Sequence, residues 1–130
     1  MKPFRPGLQI SARDAVVLVV GGATAAFVAR TDWWLGLVVG FVVGHFFLFC
    51  NVFRIARRLE LAWAALFLAL AVGTAALGVP GPLPTIVTCL VATLLVIIRD
   101  MRTPSYHGIA WRQLNPKLLL WWEAQGQEER

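Results

Sequence analysis

The sequence predicts an all-α membrane protein: four transmembrane helices arranged as two hairpins, plus a short C-terminal interfacial helix. Composition points there first. The 130 residues are 58% hydrophobic and 15% charged, with a net charge of +5. Soluble domains run about 45–50% apolar and about 25% charged. The second observation is where charge is missing. Leu61 to Ile98 is 38 residues without Asp, Glu, Lys, Arg or His. Trp33 to Phe53 is 21 residues whose titratable side chains are His45 and Cys50, and Ala15 to Ala29 adds 15 uncharged residues. A membrane helix needs roughly 20 predominantly apolar residues, so the longest stretch holds two spans. The third observation is the breaker at its centre, Gly78-Val-Pro-Gly-Pro-Leu-Pro84, because proline cannot continue a helix interior. The expected helices are about 12–29, 33–53, 60–78 and 83–101, in a transmembrane domain 1–103 followed by a cytoplasmic or interfacial tail 104–130. These observations exclude a disordered chain, a nucleic-acid arm and an ordinary soluble domain.

The first helix has a basic start (Lys2, Arg5, Arg13) and a short apolar run, which a secretory signal would share. Ala26-Phe-Val-Ala29 is a weak cleavage site, whereas Ser11-Ala-Arg-Asp14 reads as a helix start. The Ser hydroxyl takes an orphan N–H and Asp14 suits the positive helix end. A retained helix is therefore expected. Thr31 and Asp32 are candidate caps for the second helix, with Trp33 and Trp34 at the interface. Pro84 fits the first turn of the fourth helix, and Pro104 stops what continues past Met101.

Positive charge sets the expected orientation. Lys2, Arg5, Arg13, Arg54, Arg57, Arg58, Arg99, Arg102, Arg112, Lys117 and Arg130 fall on one face of a four-span protein, and Arg30 alone falls on the other. The positive-inside rule puts the eleven-charge face, with both termini, in the cytoplasm of a bacterial-type inner membrane. The same face is expected to meet anionic headgroups. The basic balance is then a topology signal, and no nucleic-acid partner is expected.

Gly36, Gly40 and Gly44 form a small-residue stripe at spacing four on the second helix. Small residues let backbones approach where lipid gives no hydrophobic drive between helices. A looser stripe, Ala62, Ala65, Ala69 and Gly73, runs along the third helix, and the first offers Gly22, Ala25, Ala26 and Ala29. Either internal packing or a homomeric or foreign-subunit seam accounts for them. Asn51, seven residues from Gly44, shares the stripe's face and is expected to bond between helices.

His45 lies twelve residues past Trp33, roughly 18 Å from the outer end at 1.5 Å per residue. A titratable group at that depth is a candidate functional site. Haem ligation, a proton relay and a quinone contact compete with a structural role, a neutral His bonded to a backbone carbonyl or a Thr hydroxyl. A haem site wants a second axial ligand, and no other histidine lies within a span. Arg54, Arg57, Arg58, Arg99 and Arg102 gather where three helices end and form a candidate contact for an anionic lipid or a partner. Glu60 and Asp100 are expected to pair with some of them.

Cys50 and Cys89 lie too far apart in depth for a disulfide, which needs Cα atoms within roughly 7 Å. The ligand clustering of a metal site is missing, as are a phosphate loop, HExxH and GxSxG. Ser105 near His107 lacks an orienting acid. In the tail, Pro104-Ser-Tyr-His-Gly108 reads as a linker, Asn115-Pro116 as N-cap and first helical position, and Lys117-Leu-Leu-Leu-Trp-Trp122 as a helix too short to span. Trp111, Trp121 and Trp122 are expected to anchor it at the interface, the alternative being a docking helix for a larger subunit. From Gln125 onward the chain is polar and fraying is expected.

The functional expectation is a non-catalytic accessory or assembly subunit of a larger membrane complex. It is neither an enzyme nor a cofactor carrier, and its partners are membrane lipids and other membrane subunits or further copies of itself. A small oligomeric transporter or channel is the second reading, and a redox or quinone-binding protein centred on His45 the third.

Overall fold

A computed structural model describes residues 4–128; Lys2 and Arg130, two of the charges counted above, lie outside them. The elements are α1 (Ala12–Ala29), α2 (Trp33–Phe47, continuing as a π turn Leu48–Val52), α3 (Arg57–Leu77), α4 (Pro82–Met101), α5 (Trp111–Leu114) and α6 (Leu118–Glu128). The described residues contain no strand. Four helices are long and apolar enough to cross a membrane, and the chain is a multi-pass membrane protein.

Local chemistry explains the boundaries. Ser11 and Asp14 form a reciprocal capping box: Ser11 Oγ accepts the Asp14 N–H at 3.3 Å, and Asp14 Oδ2 accepts the Ser11 N–H at 2.7 Å. Asp32 caps α2, accepting the Leu35 N–H at 3.0 Å. α3 stops at Gly78, whose φ of +69° is a left-handed conformation that favours glycine. Pro82 opens α4 at a position where no N–H is needed.

Two boundaries depart from expectation. α2 is not regular to residue 53. Its last turn is π-wound, Phe53 N–H returns to the Leu48 carbonyl at 2.9 Å, and the chain leaves through Arg54 at φ +52°. α3 starts at Arg57 rather than 60, because the Asp100 carboxylate accepts the Ala56 N–H at 3.3 Å and so caps its entry from the end of α4. Arg57 and Arg58 are therefore first-turn residues, not loop residues.

α1 packs antiparallel on α2, and α3 on α4. The hairpins meet through aromatic rings. Phe41 and Phe49 of α2 stack on or abut Trp63 and Phe67 of α3; Phe49, Trp63 and Phe67 with Ile55, Ala71 and Cys89 are the core, and the half-buried Phe41 packs against it. The Thr103–Ala110 linker folds back beneath this core. Tyr106 is buried, its hydroxyl donates to the Ile109 carbonyl at 2.9 Å, and Ile109 N–H reaches the Val52 carbonyl at 2.9 Å.

Candidate functional site

The glycine line of α2 divides into three different sites. Gly36 is buried, and a Cβ there would strike the Ala29 backbone and side chain. A Cβ on Gly40 would meet Ala25 Cβ at 3.5 Å, an ordinary contact. Gly44 is exposed with nothing near its Cβ position, so its expected packing within the bundle is corrected. The contact continues instead through Gly21 of α1, where a Cβ would come within 2.7 Å of Val43. Antiparallel pairing explains the shift: the line runs Gly36–Ala29, Gly40–Ala25, Val43–Gly21, with the small partner changing helix. The looser α3 stripe is also corrected as a packing face within the bundle. Ala62, Ala65 and Ala69 are exposed, because the face of α3 that packs is Trp63, Phe67, Ala71 and Thr74. On α1, Gly22 and Ala26 are likewise exposed.

His45 is 8% exposed. Its Nδ1 lies 2.9 Å from the Phe41 carbonyl, which can only accept, so the neutral ring carries its proton on Nδ1. The ring stacks on Trp63 at 4.5 Å between centroids, with Phe41 at 4.1 Å and Phe49 edge-on at 5.7 Å. His45 is thus a member of the aromatic seam between hairpins. Trp63 completes the seam: its Nε1 donates to Thr93 Oγ1 at 2.9 Å and to the Cys89 carbonyl at 3.2 Å. An apolar cleft of about 620 Å³ beside the seam lies between α2 and α3, lined by Trp34, Val38, Val42, Phe67, Leu68 and Ala71 among others.

Asn51 is buried at the end of α2. In the amide orientation that satisfies both of its ends, Nδ2 donates to the Gln9 carbonyl at 2.9 Å and to Asp14 Oδ2 at 3.2 Å. Its own backbone carbonyl accepts the Gln9 N–H at 3.3 Å. The bond joins α2 to the start of α1 and to the N-terminal strap, residues 4–10.

The five arginines differ in setting. Arg54 is half-buried and donates through Nη1 to the Arg5 carbonyl at 2.6 Å. Burial lowers its pKa from the usual arginine value. Arg57, Arg58, Arg99 and Arg102 are exposed around the Ala56–Asp100 contact. The expected pairing of Glu60 and Asp100 with arginine is corrected. Asp100 is 4% exposed and serves the Ala56 N–H, while Glu60 Oε1 receives the Cys50 thiol at 3.5 Å. Cys50 and Cys89 are both free thiols.

The tail is held by the strap. Trp122 stacks on Phe4 at 4.0 Å between centroids, Gly7 lies against the Trp111 indole, and Gly7 N–H donates to the His107 carbonyl at 2.8 Å. Trp121 is half-buried and lines an open pocket together with residues 101–104 and Leu114. Leu119, Leu120 and Trp122 keep exposed apolar surface. The expected N-cap at Asn115 is corrected: α6 begins at Leu118, and the Asn115 amide instead donates to the Pro104 and Tyr106 carbonyls, tying the tail to the linker. His107 Nδ1 faces the Ser105 backbone carbonyl, not its hydroxyl.

Sequence reasoning missed the polar contacts of the second hairpin, Thr74–Thr85 at 2.8 Å and Trp63–Thr93, and the strap. The threonines carry a signal, since each lies on the one apolar face of its helix that is buried: Thr74 with Phe67 and Ala71, Thr85 and Thr93 with Cys89. Among the described residues no group of three His, Cys, Asp or Glu side chains converges on a metal position. No protein-family model, curated protein or solved structure matches the chain.

Proposed function

We propose that this chain is a small, non-catalytic accessory or assembly subunit of a larger membrane complex, stabilising it by helix packing and lipid contact. The observation that carries the reading is α1. None of its residues is buried, and its small residues Gly22 and Ala26 face outward. In lipid, apolar side chains gain nothing by leaving the hydrocarbon, so an outward small-residue face is most useful as a surface for another helix. The packing of His45 supports a structural role for it: Trp63 and Phe41 cover the ring, and its N–H is engaged by its own helix.

The membrane we propose is a bacterial-type inner membrane, with the strap and tail cytoplasmic. The eleven-to-one distribution of Lys and Arg supports it. In a Cys50→Ala, Cys89→Ala background, Val79→Cys should label with a membrane-impermeant thiol reagent in intact cells and Ala56→Cys should not. Val79 is an exposed position in the turn between α3 and α4. Labelling at position 56 alone inverts the orientation.

The function itself is tested by purification in mild detergent, with mass spectrometry of co-purifying subunits and a visible spectrum of the same sample. Stoichiometric foreign membrane subunits and a colourless sample are expected. A haem spectrum, or a chain that conducts ions alone after reconstitution, overturns the reading. His45→Gln should assemble and leave the host complex working; an assembled but inactive variant would promote a proton or cofactor role.

A further inference from the structure

An open groove of about 1000 Å³ lies at the basic end of the bundle, between the strap, the start of α1, the end of α2 and the tail. Its position is that of headgroups, because Ser11 to Asp14 begins one span and Asn51 ends the next. Its lining is chemically divided. Leu8, Ile10 and Leu119 are apolar side chains 50%, 60% and 50% exposed. Arg5 and Arg112 supply positive charge, with the Arg112 guanidinium 5.6 Å over the Trp111 ring. Asp14 supplies a carboxylate.

That carboxylate is held from one side. The Ser11 N–H at 2.7 Å, the Ser11 hydroxyl at 2.6 Å and the Asn51 amide at 3.2 Å all converge on Oδ2. Oδ1 is addressed by none of these three donors. A fixed carboxylate beside guanidinium groups at the membrane boundary suits a ligand with an N–H cation and a phosphate a few atoms apart, on an apolar body. A purely anionic headgroup would meet the Asp14 charge as repulsion, and a soluble anion would leave the leucine and isoleucine surface in water.

We propose that this groove binds an aminophospholipid of the phosphatidylethanolamine type from the leaflet on the basic side. The ammonium group bonds to Asp14, the phosphate faces Arg112 and Arg5, and the glycerol and upper acyl chains cover Leu8, Ile10 and Leu119. The proposal rests on the chain spanning a membrane and not on the partner-subunit reading, so the two fail separately: one by lipid selectivity, the other by co-purifying subunits.

The test uses the full chain reconstituted in vesicles of equal parts phosphatidylethanolamine, phosphatidylcholine and phosphatidylglycerol with matched acyl chains. Retained lipid is quantified by mass spectrometry after mild re-extraction. Phosphatidylcholine keeps the phosphate and chains but has no N–H. The wild type should retain phosphatidylethanolamine over it by about tenfold, the lower end for a hydrogen bond to a charged group. Asp14→Asn should abolish the preference. Asp32→Asn, which alters the cap of α2 away from the groove, should retain it. Arg112→Gln should lower both lipids and leave their ratio unchanged. A wild-type series with mono- and dimethylated phosphatidylethanolamine needs no variant to fold, and retention should fall as N–H groups are lost. A flat series, a preference surviving in a folded Asp14→Asn variant, or phosphatidylglycerol outcompeting both overturns the proposal.

Discussion

The two hairpins solve the same problem by different physics. α1 and α2 approach through small residues, Gly36 on Ala29, Gly40 near Ala25 and Gly21 under Val43, so the seam gains by close dispersion contact. α3 and α4 are held through buried polar bonds, Thr74 to Thr85 and Trp63 Nε1 to Thr93 and the Cys89 carbonyl. The first seam fails when volume is added, and the second when a donor or acceptor is removed. A membrane offers both solutions because neither relies on expelling water.

The largest expected effect breaks the first seam. Gly36→Leu inserts a side chain where the Ala29 backbone already sits. Overpacking costs about 1–3 kcal/mol, and with backbone as the obstacle the upper end is expected. Thermal retention of a monodisperse peak in detergent reads it. Gly36→Ala should already be harmful, Gly40→Ala tolerated and Gly44→Leu neutral. Val38→Leu, which opens onto the cleft between α2 and α3, should also be tolerated. Equal tolerance along the whole line would mean that α1 and α2 do not touch there.

The next effect falls on the seam between hairpins. Trp63→Phe keeps a ring for His45 and Phe41 but removes the indole N–H. Thr93 Oγ1 still donates to the Cys89 carbonyl at 2.7 Å, so it is not left stranded. The loss should be about 1–2 kcal/mol, one net hydrogen bond plus lost dispersion contacts. Adding Thr93→Val should then cost much less than it does in the wild type, and full additivity would deny the contact.

Thr74→Val should cost less still, about 0.6 kcal/mol, the average for hydrogen bonds between membrane helices. Thr85→Val should cost the same, and the double variant little more than either, because each removes the same bond. A double variant twice as unstable as the singles would assign these hydroxyls to other partners.

The contrast also explains what the sequence made readable. Charge-free length and a proline-rich breaker define four spans, because the bilayer fixes both length and composition. Glycine spacing revealed the face of α2 that meets α1 at Gly36 and Gly40, and misplaced it at Gly44. It did not reveal where that line crosses to Gly21, because this depends on the stagger of α1 against α2. Thr74 and Thr85 are joined across the helix turn by the register of the hairpin, which no single-helix pattern displays. Asp100 and Arg54 looked like surface charges awaiting partners. They are engaged by backbone groups, Ala56 N–H and Arg5 C=O, and backbone partners leave no trace in residue identity.

The smallest effect extends the polar style of the second hairpin into the linker that follows it. Tyr106 is the single tyrosine of the chain, 1% exposed, with its hydroxyl donating to the Ile109 carbonyl. Burial, and then the negative charge of Asp100, push its pKa from 10.0 up to about 12. Ionisation is therefore easier in the unfolded chain than in the folded one. Whatever stability the neutral phenol supports is fully present below pH 10.0 and is lost as pH rises through about 12. Phenolate absorbance of the folded protein should rise near pH 12, with unfolding following over the same range. Asp100→Asn should bring the midpoint down but not to the free value, because burial remains the larger cause. A midpoint at the free-tyrosine value in the folded wild type would mean that the linker does not fold back beneath α2, and that the polar contacts end with the second hairpin.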